Sequence, residues 1–526
     1  MKAENLLKNR LAEPGQFIIT LEYTVPDVAD PCMADLESLA KLVAEDSRVA
    51  AMALTDRVPS ITTHDTIDLA IRARDLSGKS PLVHLSGKNR NIDNLRERIQ
   101  RFVDNDLENV LILTGDKPRS ELPDSTVLCP EGFLDAVQAV DYTRKLCPDF
   151  FIAAAVSSFK YSQASQTMQY MKMKKKIDHG ANAIFNQVGL DMRKIQEMAM
   201  YAKANNINIP LVHALYWPTA MLAKLAIQDE LPGVVATQEM QKFLESLGAD
   251  PDKGKGRRTK ILALQTALCR VFGLAGVHFG GVKNVAIIKG VLDLADELSQ
   301  NNTKDQLWQQ WQELWKMPDG KPVNVAPANG FYFFQNDGNG LNSEIPAALT
   351  PPAGPSLHYK LMNMIHDTFF EDKIAEGKLF WKFYNWAHKR SWTAGPLNWF
   401  EWLCKYPLVQ CQHCGSCSLP ECGYICVESA CAKHLPNGPC GGSKVNDDEC
   451  EVIKGKQCAW VKVYDQAYNA GVLGQVASNY VPPKNIALKN TCSWVNMALK
   501  LDHRGRPIEP IIPEKKAPAG PAPEKK

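Results

Sequence analysis

The sequence predicts an α/β protein, a (β/α)8 barrel with an appended small cysteine-rich domain. Through the first 300 residues, short β-like runs alternate with stretches whose apolar residues recur every three or four positions. Eight strand-then-helix units are typical of a closed parallel barrel. A doubly wound open sheet is the alternative, but it would show fewer repeats and a GxGxxG turn after the first strand, which this chain lacks. The predicted strands are Gln16–Tyr23, Val49–Asp56, Pro81–Gly87, Asn109–Asp116, Phe151–Ser158, Ala183–Leu190, Pro210–Trp217 and Gly276–Gly281.

Changes in composition mark the other regions. Residues 1–300 carry the barrel pattern, whose seventh unit is lengthened by two predicted helices and a charged loop, Asp250–Arg258. Residues 301–403 form an aromatic-rich connecting region, whose tryptophans are expected to pack on the barrel. Residues 404–500 form the cysteine-rich domain, and the Pro/Lys-rich residues 501–526 are predicted to be a disordered tail.

Charge and hydropathy argue against two classes of partner. The formal net charge is only +2, whereas a general nucleic-acid binder would be far more basic. No stretch approaches the ~18 apolar residues that a membrane helix needs, and Met1–Gly15 lacks the apolar run of a signal peptide. The chain is therefore expected to be cytoplasmic, to bind no nucleic acid and to have no membrane span.

Polar residues suited to acid–base chemistry fall at the ends of several predicted strands. Active sites of this fold lie at the carboxyl ends of the strands. There the chain has two carboxylates, Glu22 and Asp116, the imidazole of His84 and the amide of Gln187, while strands 7 and 8 carry His213 and His278. Such a set suits acid–base catalysis with polar recognition of a substrate. Taken singly, a strand-end aspartate is also typical of a helix cap, and a lone histidine of a hydrogen-bonded structural group.

Three longer motifs contain these residues. The first is a strand-1 glutamate followed by a proline turn, Phe17-Ile-Ile-Thr-Leu-Glu22-Tyr-Thr-Val-Pro26. The second ends strand 4, Leu113-Thr-Gly115-Asp116-Lys-Pro118. The third is the most specific, Lys176-Ile-Asp178-His-Gly180-Ala181-Asn182-Ala-Ile-Phe-Asn186-Gln187. In this order the motifs resemble the methylenetetrahydrofolate reductase family, and the resemblance covers roughly Gln16 to Gln300.

The resemblance implies a role for each residue. Glu22 would be the general acid that protonates the N10 leaving nitrogen of the folate, which requires a raised pKa that burial can provide. Asp116 would act beside the flavin and the pterin, and Gln187 would hydrogen-bond the folate. The implied cofactor is FAD, with FMN as the alternative. Its implied contacts are Thr55, His84, Thr114, Gly115, Asp116, Lys175 and Lys176, with the lysines at its phosphates.

One stretch departs from the family pattern. The family often carries a Tyr-Pro-Glu-x-His run after strand 5, where this chain has Val156-Ser-Ser-Phe-Lys160. A ring-stacking tyrosine and a flavin-contacting histidine are therefore missing.

The cysteines indicate metal binding. Nine of the fifteen fall between Cys411 and Cys458, and the opening Cys-x2-Cys-x2-Cys resembles the start of a bacterial ferredoxin motif. In a reducing compartment such a cluster favours metal over disulfides. The segment from Cys411 to Trp460 resembles the C-terminal domain fused to, or partnered with, some of these reductases, with Cys422 as an extra cysteine. Eight cysteines predict two four-thiolate sites and leave open their division and their metal, a [4Fe-4S] cluster or zinc: Cys411, Cys414, Cys417, Cys426, Cys431, Cys440, Cys450 and Cys458.

The predicted function is flavin-dependent reduction of 5,10-methylenetetrahydrofolate to 5-methyltetrahydrofolate, with an iron–sulfur domain feeding electrons to the flavin. The expected electron source is reduced nicotinamide, ferredoxin or a partner electron-transfer subunit, and the chain is expected to be a homo-oligomer or a complex subunit. A folate-dependent methyltransferase to a corrinoid or a thiol is one alternative and would need no flavin. An electron-transfer or scaffold subunit of a larger complex is the other, and it would have no use for Glu22, Asp116 and Gln187 together.

Overall fold

Eight parallel strands close a barrel in chain order, with the eighth paired to the first. This computed structural model describes residues 3–26, 33–56, 64–88, 90–116, 133–338, 340–370, 379–388, 391–445 and 447–505. The predicted (β/α)8 barrel is confirmed, and most strands end earlier than predicted because their last residues turn into the loops that carry the site. The strands are β1 (Ile18–Tyr23), β2 (Val49–Leu54), β3 (Leu82–Ser86), β4 (Asn109–Leu113), β5 (Phe151–Val156), β6 (Ala183–Asn186), β7 (Leu211–Tyr216) and β8 (Gly276–Gly280).

Amphipathic helices surround the barrel. Most begin at a polar N-cap, such as the capping box that Asn91 and Asn94 form at the start of α4. The short α1 precedes β1 and closes the other end of the barrel, where Leu7 and Leu11 pack into the same cluster as Ile18. The first seven are α1 (Leu6–Leu11), α2 (Met33–Glu45), α3 (Thr66–Ser77), α4 (Ile92–Asp104), α5 (Ala136–Leu146), α6 (Gln163–Asp178) and α7 (Met192–Ala204).

The seventh unit contains the predicted insertion. Two helices lie there, α8 (Ala220–Ile227) and α9 (Gln238–Ser246), before α10 (Lys255–Val271) and, after β8, α11 (Val285–Asn301). The charged loop is shorter than predicted. The Asp252 carboxylate accepts hydrogen bonds from the backbone N–H groups of Gly254 and Gly256, so α10 begins inside the predicted loop.

The connecting region packs on the barrel only in part. Trp308 and Trp311 of α12 (Lys304–Leu314) and the following Trp315 are buried, as expected. Trp386 and Trp399 are instead 42% and 59% exposed, so the packing predicted for all the tryptophans is wrong for these two. Their helices pack on the cysteine-rich domain rather than on the barrel wall. Among the described helices, none is long and apolar enough to cross a membrane. The elements after α12 are β9 (Phe334–Asn336), β10 (Leu341–Pro346), α13 (Leu357–Phe369), α14 (Leu379–His388) and α15 (Ser391–Val409).

The cysteine-rich domain is docked on α6. Trp460 and Val463 pack against Ala164 and Met168 of that helix. The described chain continues past the predicted boundary at residue 500, with Asp502 and His503 buried, and residues 506–526 of the predicted tail 501–526 lie outside the described residues. The helices of this domain are α16 (Val427–Ala430), α17 (Ala459–Asn469), α18 (Leu473–Ser478) and α19 (Ser493–Ala498).

Candidate functional site

Glu22, His84 and His278 meet inside the mouth of the barrel. Side chains alternate along a strand, so Thr20 and Glu22 of β1 face the same side. Thr20 is the register partner of His278 in β8, and its Oγ1 lies 2.8 Å from His278 Nδ1. The other ring nitrogen, Nε2, lies 3.2 Å from Glu22 Oε2. One nitrogen of His84 completes a group of three side-chain atoms that all lie within 4.8 Å of one another.

The surroundings of this trio hold Glu22 as a carboxylate. Burial raises the pKa of Glu22, but the hydrogen bond and charge of His278 bring it below its usual value. The raised pKa expected for Glu22 is therefore wrong, because an imidazole from the neighbouring strand faces the carboxylate. Burial lowers the pKa of His84 to about 4, so this ring is neutral near pH 7. Among the described residues, buried His84 Nε2 has no hydrogen-bond partner.

At the end of β2, two neighbouring residues have different roles. The Thr55 hydroxyl accepts a hydrogen bond from the Val25 backbone N–H at 2.9 Å, which ties the ends of β1 and β2 together. The Asp56 carboxylate is buried in ion pairs with Arg90 and Arg98. Asp56 is therefore structural, whereas Thr55 lies at the rim of the mouth.

The end of β4 forms a tight turn. Thr114 is buried, and Gly115 has φ +86°, a conformation that side chains rarely adopt. A Cβ atom on Gly115 would lie 2.2 Å from Ser86 Oγ. Glycine is thus required where the ends of β3 and β4 approach each other, and the turn leaves Asp116 exposed at the mouth.

Gln187 lies at another part of the rim, at the end of β6. Its backbone N–H donates to the Val156 carbonyl at 2.8 Å, and a Cβ atom on Gly233 would lie 3.3 Å from its side-chain nitrogen. The preceding Asn186 is buried and donates to Ser158 Oγ at 2.8 Å. Asn186 therefore holds β5 and β6 together, while Gln187 faces the long connection after β7.

Lys175 and Lys176 do not join this group. Both lie in the last turn of α6, about 18 Å along the helix from its first residue at the mouth. The Lys175 ammonium lies 5.8 Å from the centre of the Trp460 ring, and that of Lys176 donates to the Ala155 carbonyl. Burial lowers the pKa of Lys175 to about 8 and that of Lys176 to about 7. Phosphate binding by these lysines stays a prediction that their position does not support.

The cysteine-rich domain covers one side of the mouth. Gly441 of this domain packs against Ser157 and Gly233 of the barrel. A Cβ atom added to Gly441 would lie 3.6 Å from Ser157 Cβ, and one added to Gly233 would lie 2.9 Å from the Gly441 carbonyl oxygen. Lys160 Nζ donates to the Ser443 carbonyl at 2.5 Å. The stretch that departs from the family pattern after strand 5 therefore lies beneath the loop 437–443.

Two mouth residues were given no role by the sequence. His278 was recognised on strand 8, but its pairing with Glu22 depends on the register between β1 and β8. Lys433 enters from the cysteine-rich domain, and its Nζ donates to the Gly115 carbonyl at 2.8 Å. The signal for Lys433 was the Cys-x-Lys element at Cys431, which is part of the resemblance of that domain.

Four cysteines from the first half of the motif line one small cavity, together with Lys405 and Lys484. Lys484 Nζ lies 3.6 Å from Cys414 Sγ. Burial raises the pKa of the Cys414 thiol to about 11, although the charge of Lys484 lowers it, and the nearby Cys417 raises it further. This group, called the first quartet below, consists of Cys411, Cys414, Cys417 and Cys426.

The other four cysteines form a second quartet. Burial raises the pKa of Cys431 to about 12, and the neighbouring Cys440 and Cys450 raise it further. The pKa of Cys458 is likewise raised, by desolvation of its thiol and by the other three. The second quartet is thus Cys431, Cys440, Cys450 and Cys458.

Cys422 belongs to neither quartet. Its buried thiol contacts the Pro436 carbonyl, with 3.7 Å between sulfur and oxygen. It therefore stands as the extra cysteine that the sequence indicated. Among the described cysteines, no three sulfur atoms lie within 4.8 Å of one another.

The fold and the site define a (β/α)8-barrel enzyme with acid–base groups at its mouth and a thiol-rich domain seated beside them. The chain belongs to the methylenetetrahydrofolate reductase family, a family of oxidoreductases. The family model described as methylenetetrahydrofolate reductase matches residues 7–296. A second, described as the methylene-tetrahydrofolate reductase C terminal, matches residues 400–487.

Two curated plant relatives are similar to part of the chain. "Methylenetetrahydrofolate reductase (NADH) 1" of Arabidopsis thaliana is 24% identical over 226 residues, which are 40% of this chain and 37% of that protein. "Probable methylenetetrahydrofolate reductase (NADH)" of Oryza sativa subsp. japonica is 23% identical over 212 residues, 38% of this chain and 35% of that protein. The chain thus spans little more than a third of the length of these relatives.

Solved structures match the barrel weakly. One is an uncharacterized protein from Clostridium thermocellum that binds two copies of 5-methyl-5,6,7,8-tetrahydrofolic acid, with 15% identity, a TM-score of 0.42, and coverage of 56% of this chain and 99% of that one. Another is oxaloacetate acetylhydrolase, with 12% identity, a TM-score of 0.32, and coverage of 57% and 88%. At these scores neither match bears on function.

Proposed function

We propose that the chain reduces 5,10-methylenetetrahydrofolate to 5-methyltetrahydrofolate with a bound flavin. The observation that carries the proposal is the hydrogen-bonded chain Thr20–His278–Glu22 beside His84 at the mouth of a barrel of this family. A carboxylate paired to an imidazole can hold a proton and deliver it to a substrate nitrogen.

Glu22 has the role of proton donor to N10 of the folate. The proton would be held between Glu22 Oε2 and His278 Nε2, while Thr20 fixes the ring through Nδ1. Substrate that displaces water from Glu22 would raise its pKa, because loss of solvent disfavours the carboxylate. Protonation of N10 opens the five-membered ring to an iminium ion. Asp116 would stabilise that positive charge, and Gln187 would hydrogen-bond the pterin.

The residues around His84 fit a flavin. Two buried polar atoms of the barrel, His84 Nε2 and Ser157 Oγ, lack hydrogen-bond partners among the described residues, as expected of atoms that contact a ligand. FAD is the proposed form and FMN the alternative. When bound, the reduced flavin supplies the hydride, which no side chain can provide. Residues that would hold it are Thr55, His84, Thr114, Gly115 and Asp116.

We also propose that the two cysteine quartets bind metal, at least one of them as a [4Fe-4S] cluster. Thiolates are soft ligands that suit both iron–sulfur clusters and zinc, and the Cys-x2-Cys-x2-Cys opening of the first quartet, which resembles a bacterial ferredoxin motif, supports a cluster. Lys405 and Lys484 beside the first quartet and Lys160 near Cys440 suit a centre that carries negative charge.

The two quartets would then lie in series. The loop that follows Cys440 contacts Ser157 and Gly233 at the barrel mouth, so the second quartet adjoins the flavin site. The first quartet lies beside α15, where the thiol of Cys404 is exposed. Electrons from reduced nicotinamide through a partner, from ferredoxin or from another subunit would enter at the first quartet.

The experiment is anaerobic purification of the full chain with three measurements. These are flavin absorbance, iron, sulfide and zinc content, and formation of 5-methyltetrahydrofolate by chemically pre-reduced protein. Bound flavin and methyl product support the reductase. A colourless protein with no folate reduction would refute it. Zinc without iron or acid-labile sulfide would refute only the electron route and leave the quartets structural.

The departure after strand 5 supports a second candidate. Phe159 packs against His213, with ring centres 6.0 Å apart, and no tyrosine stands at this position to stack on a flavin ring. A folate-dependent methyltransferase to a corrinoid or a thiol would have no need of one. Methyl transfer from 5-methyltetrahydrofolate to a thiol by flavin-free protein would favour this alternative.

A further inference from the structure

The interface between the barrel and the cysteine-rich domain contains three buried lysines that cross it. Lys160 of the barrel donates to the Ser443 carbonyl, and Lys172 of α6 to the Gly438 carbonyl at 3.0 Å. Lys433 crosses in the opposite direction, and its Nζ donates to the Gly115 carbonyl. Only Lys433 reaches the turn that carries Asp116.

Lys433 is held by an unusual partner. Its side chain is 2% exposed and forms an ion pair with Glu451, whose side chain is 4% exposed. Apart from this ion pair, neither carboxylate oxygen of Glu451 has a hydrogen-bond partner in the described chain. The ammonium also lies 5.0 Å from the centre of the Phe133 ring. Burying such a pair is costly, and apolar side chains would join two domains more cheaply.

The pair lies beside a groove that adjoins the barrel mouth. Glu451 lines a groove of about 700 Å³ between the connection 226–238 and the cysteine-rich domain. Gly442 lies against its carboxylate, where a Cβ atom would come within 1.4 Å of Oε2. The chain thus keeps space for a buried charge at the inner end of a groove that opens beside the mouth.

We infer that Lys433 is a positioning residue of the flavin and folate site, supplied by the cysteine-rich domain, which fixes the Gly115–Asp116 turn through the Gly115 carbonyl. The inference rests on the proposed function. Gly115 has no side chain and packs against Ser86, so Lys433 holds the turn through the Gly115 backbone carbonyl. Lys433 acts through this turn and lies two residues after Cys431. One short segment of the cysteine-rich domain therefore supplies both a cysteine of the second quartet and the lysine that holds the turn at the proposed flavin site.

The test compares three variants of the metal-loaded full chain by titration with flavin. Lys433→Met should weaken flavin binding by about tenfold, the fold-change that a hydrogen bond from a charged group contributes. Lys433→Arg keeps the charge and the donor and should restore affinity to within about threefold of the wild type. Lys172→Met is the matched control, because Lys172 is an equally buried ammonium at the same interface that pairs with Asp135 instead.

Melting temperature and metal content are measured on the same samples. If Lys433 only joins the domains, Lys433→Met and Lys172→Met will lower the melting temperature alike and leave the flavin dissociation constant unchanged, which overturns the inference. If Lys433→Met does not fold, the arginine variant decides the question. An arginine variant that folds but binds flavin tenfold more weakly than the wild type would contradict the inference, because it keeps both the charge and the hydrogen-bond donor. Wild-type protein that binds no flavin at any concentration would instead overturn the proposed function, and this inference with it.

Discussion

The barrel mouth and the cysteine-rich domain both bury titratable groups, but they stabilise them in different ways. At the mouth, the His278 ring forms hydrogen bonds with Thr20 and with the Glu22 carboxylate, and the pKa of that carboxylate is lowered. In the quartets, burial and neighbouring thiols raise the pKa of Cys414 to about 11 and that of Cys431 to about 12. The Glu22 carboxylate is therefore stabilised by the chain alone, whereas the buried thiols would need a cation to become thiolates. The contrast teaches that proton chemistry and metal chemistry can be disrupted separately.

The largest expected effect is that of replacing Glu22, which should impair the barrel mouth and leave the cysteine-rich domain intact. Glu22→Gln should lower kcat/KM for folate reduction by about 10²–10⁴-fold, since an amide cannot deliver a proton. Flavin binding and metal content should stay at wild-type levels, because neither depends on this carboxylate. Glu37→Gln, at an exposed ion pair on α2, is the control. Near-normal folate turnover in the Glu22 variant would remove it from the mechanism.

Cysteine variants should produce the opposite pattern. Cys414→Ser and Cys440→Ser should each remove the metal of one quartet, about half of the total, while folate reduction by pre-reduced flavin survives in the Cys414 variant. Cys422→Ser is the matched control, since its buried thiol lies outside both quartets. Metal analysis and absorbance measure the outcome. Equal metal loss in the Cys422 variant would contradict the division into two groups of four.

The pH dependence of the free energy of unfolding should reflect the burial of His84 at the barrel mouth. The pKa of His84 is about 4 in the folded chain, against an ordinary value of 6.5, because burial disfavours its charged form. The unfolded chain therefore binds more protons between these values, and stability falls as pH drops from about 6.5 to about 4, by about 3 kcal/mol for this group.

Urea unfolding at a series of pH values measures this effect. His84→Gln should flatten the slope by about one proton, and His434→Gln, at an exposed position, should not. Parallel slopes for wild type and His84→Gln would show that the imidazole is solvated.

The smallest expected effect concerns Asp116. Asp116→Asn should lower kcat/KM by about tenfold, or ~1.4 kcal/mol of transition-state stabilisation. Its side chain is exposed, so the melting temperature should stay within about 2 °C of the wild type. A large fall in melting temperature with unchanged activity would identify Asp116 as a structural cap.

The sequence predicted the barrel because strand and helix periodicities are local properties of the chain. It also placed Glu22, His84, Asp116 and Gln187 on strands whose ends must converge in this fold, and their roles stay predictions. The pairing of Glu22 with His278 was not accessible, since it depends on the closure of β8 on β1, 256 residues away in the chain. The pKa of Glu22 was mispredicted for the same reason.

The cysteine-rich domain was predictable in composition but not in arrangement. Spacing identified the eight candidate ligands, and only the three-dimensional path separates the quartets and leaves Cys422 aside. Lys175 and Lys176 show the converse. A basic pair in a family motif suggested phosphate contacts, yet both residues lie in the last turn of α6, where one ammonium lies near the Trp460 ring and the other donates to the Ala155 carbonyl.

The contact between Lys433 and Gly115 also has a consequence for biosynthesis. These residues are 318 positions apart, so at about 5–20 residues per second a ribosome finishes β4 tens of seconds before it adds the lysine. A nascent barrel can close during that interval while its Gly115 turn still lacks this partner. If Lys433 positions the proposed flavin site, full affinity for the cofactor would be reached only after the last third of the chain has emerged and folded.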